Sequence, residues 1–176
     1  TLDGYEAAQK ANGVRDARHR IEHIELLNPA DLPRFKELGV VASMQPSHPP
    51  GAMDFPLKPW VSRVGEARWP WAFPMNDLRA QGTPICFASD WPVADINPMR
   101  SIKAAMLRRS WNGTYDDHAS TLHQALHAYT AGGAYAGHED HRLGTLKPGN
   151  LADIVIMDRD LEATSAEDIG QARAAL

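Results

Sequence analysis

The sequence predicts an α/β fold built on a parallel sheet, and three observations predict it. Short β-rich segments alternate with helical ones along the chain, the order that βα units produce. Polar residues able to do chemistry fall at the C-terminal ends of those β segments, where parallel sheets and barrels carry their sites. The 176 residues are 43% apolar and 23% charged, enough to build one globular domain with a sizeable core.

The elements follow in order. Residues 2–12 read as the end of a helix stopped by Gly13. ARHRIEHIEL (17–26) holds a short strand, on which Ile21, His23 and Glu25 share one face if the chain is extended. Asn28 and Pro29 form an N-cap and first helical position, and the helix runs through ADLPRFKEL to Gly39, with an irregular start at Pro33. VVASMQP (40–46) is a strand closed by proline. Residues 47–72 hold five prolines and three tryptophans and predict a long, partly helical loop. A helix over 73–81 stops at Gly82, and PICFASD (84–90) is a continuous buried strand. Asn97-Pro98 opens a helix to about residue 109, and Ser120-Thr121 opens another through TLHQALHAYTAGGAYA, weakened by Gly132 and Gly133. A turn-rich connector covers 137–150, ADIVIMD (152–158) predicts a further strand, and AEDIGQARAAL predicts a helical or frayed end.

Composition excludes several classes. No apolar run approaches the roughly 18 residues a membrane helix needs. The net charge is -4 with no basic block, so neither nucleic acid nor a membrane surface is an expected partner. A single cysteine, Cys86, rules out an intramolecular disulfide framework and favours a reducing, cytoplasmic compartment. Eight histidines direct attention to acid–base or metal chemistry.

Among the candidates, His23 ends the first strand, Gln45 and His48 follow the second, and Asp90 ends the third. Imidazole and carboxylate are both good zinc ligands, so a His and an Asp on neighbouring strands could share an ion. The alternative is a core histidine and a helix-capping carboxylate. Trp91 directly follows Asp90 and is expected to line a pocket. Trp60, Trp69 and Trp71 fit either a pocket wall or burial under the long loop. His123 and His127 have the i,i+4 spacing of a zinc-protease helix, but Gln124 stands where the general base would be, which leaves a surface role. His138, Glu139, Asp140 and His141 read as a solvated loop, His19 as structural, and Cys86 as inert core.

RHRIEHIELLNPADLPRFKELGVVASMQPSH, PICFASDWPVADINPM and LGTLKPGNLADIVIMDRD, in that order, resemble the C-terminal part of metal-dependent amidohydrolases. The nearest branch holds N-substituted formamide deformylases and exoenzyme-regulator-like hydrolases. The resemblance implies a partial (β/α)8 TIM-type barrel, strands six to eight, over residues 1–136. Connector and the start of a small β-sandwich domain would occupy 137–176. It implies a divalent metal, zinc by preference, with one or two ions in the parent protein. RIEH matches the sixth-strand motif and carries over His23 as a ligand; ASDWP matches the eighth and carries over Asp90 as ligand and proton shuttle. SMQPSH matches the seventh strand, with Gln45 and His48 lining the substrate pocket.

The departures are specific. No His-x-His of the first strand occurs here, and the fourth- and fifth-strand ligand motifs are absent. A whole barrel of this type needs about 250 residues. The expectation is therefore a piece of a longer hydrolase of small amide or N-formyl substrates. Alone it would bind metal weakly, be inactive, and self-associate through unpaired strand edges. The rival is a non-catalytic α/β binding or assembly module in which His23 and Asp90 are structural.

Overall fold

The computed structural model describes residues 1–53 and 55–175. Its centre is a three-stranded parallel sheet in the order β1 (Arg20–Glu22), β2 (Val41–Met44), β3 (Ile85–Phe87). Ile21 stands opposite Ala42, and Ala42 opposite Ile85, so the strands are in step and each next strand adds to the same side. Alternation then sorts the side chains between two faces. Ala42, Met44, Ile85 and Phe87 point into the main core, with Phe35, Met75, Leu78 and Ile102 from the surrounding helices. Val41 and Cys86 point to the opposite face, against Ala136.

The helices are α1 (Leu2–Asn12), α2 (Leu32–Glu37), α3 (Trp60–Val64), α4 (Met75–Ala80), α5 (Pro98–Leu107), α6 (Leu122–Tyr129) and α7 (Ala131–Ala136). Their starts follow the sequence signals. The Asn28 side chain accepts from the Ala30 amide, Asn97 accepts from the Met99 amide, and Thr121 and Gln124 form a reciprocal capping box. Pro33 is accommodated because a 3₁₀ turn (Pro29–Asp31) precedes α2 and leaves the proline in the first helical turn. The long loop after β2 carries α3 and a 3₁₀ segment, Glu66–Trp71.

Four expectations are corrected. β1 ends at Glu22, and His23 and Ile24 then adopt left-handed backbone (φ 70° and 51°), so Ile21, His23 and Glu25 do not share an extended face. The helix expected through residue 136 breaks at Thr130 (φ −111°, ψ −87°), whose hydroxyl donates to the Leu126 carbonyl. The break sets α7 against β3 so closely that a Cβ on Gly132 would lie 2.3 Å from the Ile85 carbonyl oxygen. The strand expected over 152–158 reduces to one antiparallel bridge between Met157 and Ala174, with Ile154, Val155 and Ile156 all more than half exposed. A β-branched run needs a partner strand, and 173–175 meets only its end. The C-terminal segment holds a single 3₁₀ turn, Ile169–Gln171, whose Ile169 is fully buried. Among the described residues no helix is long and apolar enough to cross a membrane.

Candidate metal centre

The three strands end side by side, and each end delivers one polar side chain to the same place. His23 follows β1 directly, and its amide still donates to the Ser43 carbonyl of β2 at 2.8 Å. The left-handed turn at His23 and Ile24 then swings the chain away. A positive φ at a β-branched residue such as Ile24 is rare and costs about 1–3 kcal/mol, so surrounding packing must hold it. The strand expected over 84–90 stops at Phe87, and Asp90, three residues further on, takes the same left-handed conformation (φ 58°). Backbone strain of this kind concentrates where side chains are aimed for function.

His23, His48 and Asp90 each offer a ligand atom, and these atoms all lie within 4.8 Å of one another. His48 Nε2 lies 3.8 Å from Asp90 Oδ2, and His23 Nδ1 lies 4.0 Å from the same oxygen. The two imidazoles are near-parallel with centroids 5.5 Å apart. Phe55 packs on the other side of His48 at 5.0 Å. His48 is buried, and its Nε2 has no hydrogen-bond partner among the described residues. Burial pushes the pKa of His48 down, against the opposing pull of the Asp90 carboxylate, which favours the neutral ring that ligates metals.

Gln45 is 2% exposed, and its Oε1 lies 3.0 Å from His23 Nδ1. The same nitrogen is the one that faces Asp90, so Gln45 and Asp90 meet one side of the His23 ring and Gln45 limits its rotation. Two imidazoles, one of them with a buried nitrogen lacking a partner among the described residues, and a carboxylate in one spot form a donor set that suits a divalent cation such as zinc.

The remaining candidates separate from this cluster. Trp91 is 65% exposed at the rim beside Asp90. Trp60 and Trp69 pack on Trp111, at 5.1 and 5.8 Å between centroids. The Trp60 indole donates to Glu25 and the Trp111 indole to the Pro50 carbonyl. A cavity of about 440 Å³ opens beside this group, lined in part by Pro49, Pro50, Leu57 and Trp111. His123 and His127 lie on the exposed side of α6, as the missing general base predicts. Asp140 pairs with Arg18 and Glu139 with Arg142, so that loop is committed to ion pairs. His19 stacks on Tyr5 at 4.6 Å. Cys86 is 5% exposed and burial pushes its thiol pKa up, in keeping with an inert core residue. Sequence reasoning missed Trp111 and Arg108; only the proximity of their loop to residues 50 and 73 reveals them.

The model of the amidohydrolase family matches residues 1–176. The chain belongs to that family. It is 37% identical over 171 residues to Protein LONG AFTER FAR-RED 3 of Arabidopsis thaliana, covering 96% of this chain and 29% of that protein. It is 26% identical to an N-substituted formamide deformylase of Arthrobacter pascens, covering 90% of this chain and 29% of that one. Among solved structures, a metal-dependent hydrolase from Pyrococcus furiosus superposes with a TM-score of 0.72 at 32% identity, over 90% of this chain and 30% of the other. The amidohydrolase chain described here thus spans under a third of the length of these relatives.

Proposed function

We propose that this amidohydrolase segment supplies part of a divalent-metal site, zinc by preference, and the proton-transfer carboxylate of a hydrolase acting on small, non-peptide amides or N-formyl compounds. The observation that carries the reading is the convergence of His23, His48 and Asp90 at the ends of three adjacent parallel strands. His23 and Asp90 would hold the ion. When bound, the cation supplies Lewis acidity toward a carbonyl and lowers the pKa of water from 15.7 to about 7.

The chain's own groups supply the rest. Asp90 accepts a proton from the attacking water as its oxygen bonds to the carbonyl carbon. It returns that proton to the nitrogen as the C–N bond breaks, giving a carboxylic acid and an amine. Gln45 fixes the His23 ring. His48, buried beside them, is the third donor of the cluster, and Trp91 borders the entrance. In this reading β1–β3 are strands six to eight of a (β/α)8 barrel and 137–176 begins a small β domain. The remaining ligands come from residues outside the segment, so alone it is inactive. Self-association of the isolated segment through strand edges is part of the same reading, although the outward β1 carbonyls of Arg20 and Glu22 accept from the Tyr5 hydroxyl and the Ile24 amide and Gly132 of α7 crowds the outward carbonyl of Ile85 on β3.

The test is hydrolysis of N-formyl and N-acyl amines by the longest natural polypeptide containing these residues, read as amine release with added zinc. Amine release that a chelator stops and Asp90→Asn abolishes is the expected result. Release indifferent to both, or none with any amide, overturns it in favour of a non-catalytic module.

A further inference from the structure

We propose that Arg108 is a positioning residue for His23, acting through a main-chain strap, an assignment that rests on the metal-site reading above. Arg108 is 4% exposed, and its guanidinium makes two hydrogen bonds of 2.9 Å, to the carbonyls of Ala72 and Phe73. It also lies over the Phe73 ring, 5.5 Å from the centroid. A buried cation without a carboxylate within ion-pair reach is costly, and it stands where a packed apolar side chain would serve a core equally well. Its neighbours explain it. Phe73 is held at φ 49°, a left-handed conformation, and its amide donates to the Glu25 carbonyl at 3.2 Å. The Leu27 amide donates to the Trp71 carbonyl at 3.0 Å. Segment 71–73 is thus laced to segment 25–27 immediately after the left-handed pair His23–Ile24. Trp60 adds a bond from its indole to the Glu25 carboxylate.

The order of support runs from Arg108 to the carbonyls of 72 and 73, from those residues to the backbone of 25 and 27, and from there to the turn that aims His23. A guanidinium suits this task because its planar fork can engage two successive carbonyls at once, which a lysine ammonium cannot do with fixed geometry. Loss of such outer support costs metal sites about 10–100-fold in affinity.

The experiment is zinc affinity by chelator competition in the longest natural polypeptide containing these residues, for wild type, Arg108→Met, Arg108→Lys, His23→Ala and Phe35→Leu. Arg108→Met is expected to weaken zinc by about tenfold or more, with Arg108→Lys in between. Phe35→Leu, a core change away from the strap, is expected to leave affinity within about twofold, which separates positioning from general destabilisation. If His23→Ala weakens zinc and Arg108→Met does not, the positioning role is overturned while the metal site stands. If His23→Ala itself leaves zinc unchanged, the metal site falls. Should Arg108→Met fail to fold, wild type decides: binding and support are reciprocal, so zinc should slow hydrogen exchange at the Phe73 and Leu27 amides but not at Leu78 in α4. Unchanged exchange at 27 and 73 overturns the proposal.

Discussion

The two ends of one small sheet are built on opposite terms. Toward the base, Val41 at the start of β2 is fully buried, and α7 meets Ile85 at the start of β3 with no room for a side chain at Gly132. That is ordinary close packing of small and apolar groups. At the other end the same strands lead into left-handed backbone at His23, Ile24 and Asp90, and into buried polar atoms without partners among the described residues, Ser47 Oγ and His48 Nε2. The strand residues are cohesive to their last positions, Met44 and Phe87, and the converging polar groups come from the residues beyond them. The difference teaches that stability and function are separable here by position, within or just beyond a strand of three or four residues.

Three substitutions and one titration test that separation, from the largest expected effect down. Met44 is fully buried in the main core, so Met44→Ala should cost about 2–5 kcal/mol in chemical denaturation. A loss under about 1 kcal/mol would mean the core does not depend on β2. Gly132→Ala should cost about 1–3 kcal/mol, because the new methyl meets backbone that cannot turn aside. A neutral Gly132→Ala would show that α7 does not rest on β3. His23→Gly should do the reverse at the other end. It relieves left-handed strain of about 1–2 kcal/mol against about 0.5–1 kcal/mol of glycine entropy, leaving stability equal or up to about 1.5 kcal/mol higher. Zinc binding should be lost in the same variant; a large drop in stability would make His23 structural.

The smallest effect concerns Asp158, which holds the Met157–Ala174 closure. Its carboxylate accepts from the Arg159 guanidinium and the Arg173 amide, which lower its pKa to about 2. A depressed carboxylate pKa stabilises the folded closure above the ordinary value of 3.8, and that contribution is lost as pH falls from there through about 2. An NMR titration of the Asp158 carboxyl should therefore show a midpoint near 2, and a midpoint at 3.8 would break the assignment.

Much of this was legible in the residues. The caps at Asn28, Asn97 and Thr121 mark helix starts because a side-chain oxygen satisfying free amides is a local device. β2 and β3 are visible as apolar runs, and β1 as a single isoleucine between charged neighbours. His23 and Asp90 could be picked because strand ends are where parallel sheets place chemistry. The turn after Glu22 was not legible, since nothing in His-Ile announces left-handed backbone, and the bonds that tie residues 25 and 27 beyond it to 73 and 71 are long-range. Nor was the company of His48, which the sequence places on a pocket wall. The loop packing that sets Phe55 against His48 also brings it within reach of Asp90. The run at 152–158 misled because β propensity describes fit to a neighbour, and only its end meets one.

The most direct test of the central claim is metal content after dialysis, by elemental analysis, of the longest natural polypeptide containing these residues and of its His23→Ala and Asp90→Ala variants. The account predicts near-stoichiometric zinc in the wild type and its loss in both variants without loss of fold. Zinc retained in both variants, or absent from all three proteins, would contradict it.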